Sequence, residues 1–130
     1  METIRFVTTD IALALHQDQI DCYGGDAGLR DVGLLESALA MPCAMFGGQY
    51  VHEDLPAMAG AYLFHLAKNH AFVDGNKRVA FAVTLYFLDD HGYTLDFSHA
   101  EAEQFVLSIA SSALSKDQAT AMLREHLVAV

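Results

Sequence analysis

Apolar residues in this chain recur at intervals of three and four from near one end to the other, and that spacing makes helices its dominant element. Ile11, Leu15 and Ile20 keep the spacing after a start at Thr9 or Asp10, and Gly24-Gly25 breaks it. Leu34, Leu35, Ala38 and Leu39 predict a helix from about Gly33 to Ala40, closed before Pro42. Met58, Tyr62, Leu63, Leu66 and Ala67 predict another that reaches about Lys68, with Asp54 as its cap and Pro56 in its first turn. Val79, Ala82, Val83, Tyr86 and Phe87 carry a long helix from near Gly75 to Asp90, ended by Gly92. Ser98 with Glu101, and Ser115 with Gln118, are capping boxes that open the last two helices. Segment 26–33 reads as a loop or short hairpin, 43–52 as irregular, and 93–97 as a short extended link. Strand signals are nearly absent. The expectation is an all-α domain of five to six helices spanning 1–130, with the 75–90 helix, the most apolar all round, at its centre.

A hydrophobic fraction of 53% suffices for one core. The net charge of -10 argues against binding nucleic acid through its phosphates, which takes clustered Lys and Arg. Yet Lys68, Lys77 and Arg78, three of only seven basic residues, fall close together, as a small local phosphate site requires. Cys22 and Cys43 lack metal-ligand spacing and read as reduced thiols of a cytoplasmic protein. No leader pattern and no membrane-length apolar run is present.

The segment His70-Ala71-Phe72-Val73-Asp74-Gly75-Asn76-Lys77-Arg78 joins two apolar helices and is far more polar than packing requires. A helix that begins near Gly75 leaves its first amides without internal partners, and these favour an anion. Gly75 allows close approach, Asn76 adds a neutral donor, and Lys77 and Arg78 add charge. Asp74 would repel a bare phosphate, but suits Mg²⁺ bridged to phosphate oxygens. His70 stands where it can accept a proton from an incoming hydroxyl. Phe72 and Val73 are apolar enough to pin the loop to the core. The residues together suggest phosphoryl-type transfer.

The same nine residues resemble the signature of the Fic/Doc family, His-x-Phe-x-Asp/Glu-Gly/Ala-Asn-Gly/Lys-Arg. The likeness extends to Gly24-Gly25, to Gly28-Leu29-Arg30-Asp31 and to the stretch from Gly33 to Leu39, which are similar to the flap and following helix of the Doc branch. The fold it implies is a Fic/Doc-type helical bundle, with a central helix after the motif loop and a short flap hairpin. The roles it implies are general base for His70, the Mg²⁺ carboxylate for Asp74, and phosphate binding for Gly75, Asn76, Lys77 and Arg78. Phe72 would be the motif's anchor, and Gly28, Leu29, Arg30 and Asp31 the flap on which a target docks as an added strand.

Two positions depart from the members that transfer AMP. Lys77 stands where those have Gly, and Phe81 where they have a second Arg. Both are features of the Doc branch. The resemblance therefore implies a kinase that moves the terminal phosphate of ATP to a Thr or Ser of a translation factor such as elongation factor Tu. AMP transfer, or a non-catalytic binding module, are the alternatives. The residues four before Glu36, Glu53, Glu101, Glu103 and Glu125 include no Ser or Thr, so the family's inhibitory stretch is missing. A separate Phd-type antitoxin, folded as a helix in a surface groove, is then the implied partner. His65 and His70 are five apart and do not share a helix face, so they are not a metal pair. His65 reads as a packed or surface residue, Lys68 as a cation at a helix end, and Arg30-Asp31 as a surface pair or part of the flap. His16, His52, His91, His99 and His126 carry no legible role.

Overall fold

The structure is a computed structural model that describes residues 3–130. Six helices form it: α1 (Thr9–Tyr23), α2 (Val32–Ala40), α3 (Leu55–Asn69), α4 (Asn76–Asp89), α5 (His99–Ala110) and α6 (Lys116–His126). Their starts are chemically defined. Thr8, Asp31, Asp54, Ser98 and Ser115 each accept a hydrogen bond from an amide in the first turn of α1, α2, α3, α5 and α6. Both capping boxes close in both directions.

The core is organised around α3 and α4, which pack along each other. Centrality falls on α3 more than the sequence suggests. It buries Met58, Ala59, Gly60, Ala61, Tyr62, Leu63, Leu66 and Ala67, and α2, α5 and α6 all rest on it. Small residues make that possible. A Cβ on Gly60 would stand 2.2 Å from Thr120 Oγ1, so α6 reaches the backbone of α3 there. On α4, Val79, Ala80, Val83, Thr84, Phe87 and Leu88 are buried. Side chains such as Leu63, Leu88 and Val83 contribute about 1.5–3 kcal/mol each through burial. Tyr62 is fully enclosed, and its hydroxyl accepts the Val7 amide at 2.8 Å. Burial pushes that phenol up to about 12.

Three irregular segments carry detail beyond the sequence reading: the loop reading holds for 26–31 and the extended reading for 93–97, whereas 43–52 contains regular structure. Within 43–52, β1 (Met45–Phe46) and β2 (Gln49–Tyr50) form an antiparallel hairpin over Gly47-Gly48, both with positive φ. The 93–97 link contains β3 (Tyr93–Leu95), which pairs with β4 (Leu127–Ala129) directly after α6, in the register Thr94↔Val128. The 26–33 flap is no hairpin. Residues 26–31 are a loop whose one bridge among the described residues, Leu29↔Phe72, is made to the motif loop, and Val32 and Gly33 already belong to α2. All three depend on partners distant in sequence or on turn geometry, which helical spacing does not report. No helix among the described residues is long and apolar enough to cross a membrane.

Candidate active site

The motif is the turn between α3 and α4. His70 caps α3 in the left-handed conformation, φ 50 and ψ 48, and is exposed. Ala71 and Phe72 then dive into the core, each 2% exposed. Phe72 stacks on the ring of His16, with centroids 3.7 Å apart. The turn is closed by Asn76, whose Oδ1 accepts the Phe72 amide and whose Nδ2 donates to the Phe72 carbonyl, both at 3.0 Å. The side chain expected to donate to phosphate is thus the clasp of the loop, with one amide hydrogen left over.

Gly75 is the N-cap of α4 in the left-handed region, φ 78, and supplies no side-chain cap. The first intrahelical bond runs from Val79 N–H to Gly75 C=O, so the amides of Asn76, Lys77 and Arg78 precede any internal acceptor. Lys77 and Arg78 are exposed, and neither has a carboxylate partner among the described residues. The Arg78 guanidinium lies over the Tyr23 ring at 5.0 Å. Lys68 does not join them: it donates to Ser112 Oγ and sits over Phe64, which dissolves the three-cation cluster of the sequence reading. The uncapped amides and the two cations give this helix end the chemistry that attracts an anion.

Asp74 is exposed, with Oδ1 accepting the Gly75 amide at 2.8 Å and Oδ2 facing the Asp26 amide at 3.4 Å. Its fit to Mg²⁺ rests on that donor chemistry: one hard carboxylate, held by main-chain amides alone, beside that helix end. Gly25 makes this carboxylate possible. A Cβ there would lie 2.5 Å from Asp74 Oδ2, and its φ of 116 suits glycine alone. In sequence Gly24-Gly25 reads as a helix breaker and as part of the likeness to the flap, with no sign of this contact.

His16 is a second site residue that the sequence reading passed over. It is 2% exposed, and its Nε2 donates to the Asp74 carbonyl at 2.7 Å. A carbonyl only accepts, so Nε2 carries the hydrogen. The legible signal was its place in the stripe Ala12, His16, Ile20, where an imidazole interrupts the buried face of α1.

The flap is bound to the motif rather than free. The Arg30 and Asp31 amides both donate to the Ala71 carbonyl, at 2.9 and 3.0 Å, and Val73 donates to the Gly28 carbonyl at 3.0 Å. Leu29 lies between these bonds, so its own amide and carbonyl face the outer edge. Asp31 caps α2, and Arg30 reaches the His70 carbonyl; the two do not form the surface pair that adjacency suggests. A groove of about 540 Å³ begins at Lys77 and Arg78 and runs over Phe81 and Leu85 of α4 to Val106 and Leu107 of α5.

These features define a helical protein whose motif turn brings an exposed imidazole, an exposed carboxylate and two exposed cations to the uncapped start of one helix. The model of the Fic/DOC family matches residues 6–88, and the chain belongs to the Fic/Doc family. It is 40% identical over 103 residues to Toxin Doc of Mycolicibacterium smegmatis (strain ATCC 700084 / mc(2)155), covering 78% of this chain and 79% of that protein. It is 29% identical over 121 residues to the Protein kinase doc of Escherichia phage P1, covering 93% of this chain and 94% of that one.

Proposed function

We propose that this chain is a Doc-type toxin that transfers the terminal phosphate of ATP to a Thr or Ser hydroxyl of a translation factor resembling elongation factor Tu. The carrying observation is the uncapped start of α4, where Lys77, Arg78 and three free amides stand beside His70 and Asp74. His70 accepts the proton of the target hydroxyl. The hydroxyl oxygen bonds to the terminal phosphorus as the bond to the bridging oxygen breaks, and ADP leaves. Arg78, Lys77 and the amides of α4 stabilise the charge that develops on the phosphoryl oxygens. Mg²⁺, held through Asp74, supplies neutralisation of the polyphosphate when bound. The outer edge of Leu29, in the segment Gly28–Asp31, receives the target's backbone as an added strand.

Transfer of the terminal phosphate is favoured over AMP transfer by Phe81. It lines an apolar groove where a second cation would be needed to hold the phosphates in the reverse sense. The same groove accommodates the helix of a Phd-type antitoxin, whose apolar face would cover Phe81, Leu85 and Leu107. The name of the phage relative supports kinase chemistry, and that of the mycobacterial relative supports toxicity.

The test is to incubate the purified protein with cell extract and Mg·ATP labelled at either the terminal or the α-phosphate. Terminal label on one extract protein, absent with His70→Ala, is the expected result. Retained α-label means AMP transfer. No label of either kind from a folded protein that arrests growth on expression means a binding module.

A further inference from the structure

Arg30 lies on the flap before α2, yet its side chain crosses to the end of α3. Nε and Nη2 both donate to one acceptor, the main-chain oxygen of His70, at 2.8 and 2.5 Å. The Arg30 amide donates to the next carbonyl, Ala71, at 2.9 Å. One residue thus captures two successive carbonyls of the motif turn. The first belongs to a residue at φ 50, a conformation that is costly for a residue with a side chain and persists only when its surroundings hold it. It is also the carbonyl of a helix C-terminus, which has no intrahelical donor and carries partial negative charge. A guanidinium answers both needs, and its planar fork places two donors on one oxygen where an ammonium would place one.

The imidazole of His70 takes no hydrogen bond among the described residues. Only its backbone therefore sets the direction in which the ring leaves the chain. We propose that Arg30 is a positioning residue that locks the left-handed backbone of His70 and so aims the base. This rests on the reading of His70 as proton acceptor. It assigns Arg30 a different task from docking the target, and it links the two: a strand added along Leu29 lies on the same segment that holds the base in place.

The test compares Arg30→Ala and Arg30→Lys in the full chain, each checked for folding by its melting curve. Arg30→Ala lowers kcat for phosphate transfer by about a hundredfold, the scale of a base misplaced by an ångström. KM for Mg·ATP and for the target stays within about twofold, because ground-state binding is not touched. Arg30→Lys, or free guanidinium added to Arg30→Ala, recovers part of the loss. An independent readout needs no activity: with ring-labelled histidine, the His70 resonances shift or broaden in Arg30→Ala, while those of His99 on α5 stay. Unchanged His70 resonances overturn the proposal, as does a loss confined to KM for the target, which would make Arg30 a docking residue. If Arg30→Ala does not fold, Arg30→Lys carries the same two readouts. Absence of transfer by the wild-type chain would sink the kinase reading and leave the resonances to decide this one.

Discussion

The two central helices begin in opposite ways. At the start of α3, Asp54 accepts the Ala57 amide at 3.0 Å, and its two oxygens take the Arg124 guanidinium at 2.7 and 3.0 Å. Pro56 removes one further donor that would need a partner. At the start of α4, Gly75 has no side chain to cap with, and the next three amides precede any internal acceptor, beside two cations without carboxylate partners among the described residues. Five helices carry a side-chain cap, and α4 does not. A cap is worth about 1 kcal/mol. That stability is forgone at α4, which follows an exposed imidazole and an exposed carboxylate; α5 also opens beside exposed His99 and Glu101, but there Ser98 caps the helix. A satisfied helix end serves the fold; an unsatisfied one is available to a ligand.

The strongest way to break this contrast is His70→Ala. If the motif turn is the reacting end, transfer falls by about 10²–10⁴-fold, the usual contribution of a positioned base. Because His70 is exposed, stability should move by no more than about 0.5 kcal/mol. Label transfer and a denaturant melt measure the two quantities. A large loss of stability would mean that the turn is structural after all.

Gly25→Ala comes next. Its Cβ would meet the Asp74 carboxylate at 2.5 Å, so the acid must move or the α1–flap loop must shift. Transfer should drop by about a hundredfold. The left-handed backbone adds a stability cost of about 1–2 kcal/mol. A raised requirement for Mg²⁺ would tie the loss to Asp74. Unaltered Mg²⁺ dependence, with full activity, would remove Gly25 from the site.

Asp54→Ala addresses the other helix start. It should cost about 1 kcal/mol of stability and leave transfer untouched. The Arg124 hydrogen bonds, more than any other cause, hold the Asp54 carboxyl below its ordinary value. Its contribution is therefore present above the unfolded value of about 3.9 and is lost as pH falls through the lower folded one. The variant should show a shallower acid limb in melts taken through that range. Equal limbs would mean that the Asp54–Arg124 pair is only a surface contact.

The contrast was partly legible in the sequence. Asp54, Ser98 and Ser115 announce their helices because a cap is a local device, read from one residue and the next three. The motif turn stands out because polar residues crowd a junction that needs none. What could not be read depends on contacts across the fold. His16 reaches Asp74 from another helix, and Arg30 reaches His70 from forty positions away. Asn76 presents the same amide to a phosphate or to a backbone, and only the folded turn gives it to Phe72. The β3–β4 pair likewise joins residues more than thirty apart. Lys68 is the helix-end cation that its position suggests, in the last turn of α3, but counting charges also grouped it with Lys77 and Arg78, and proximity in sequence does not fix where a long side chain ends.

The smallest effect belongs to a pair of histidines on one helix. His65 and His70 are five residues apart, and so leave α3 on different sides. His70 is exposed at the motif turn, whereas the Nε2 of His65 is buried without a partner among the described residues. Burial, then the charges of Lys116 and His52, pushes the His65 imidazole down to about 4. The unfolded chain takes up its proton near pH 6.5, so between about 6.5 and 4 the unfolded state binds more protons than the folded one. Stability is therefore full above that window and declines as pH falls through it. His65→Leu should flatten this decline and leave stability at pH 7.5 equal or slightly higher, because an unsatisfied nitrogen is exchanged for an apolar group. Some slope should remain, since burial also lowers His52. Transfer at neutral pH should not change. Denaturant melts at pH 7.5, 6.0 and 5.0 measure the difference. If wild type and variant lose stability in parallel, His65 is hydrated in solution and the enclosed end of the molecule is less dry than its packing implies.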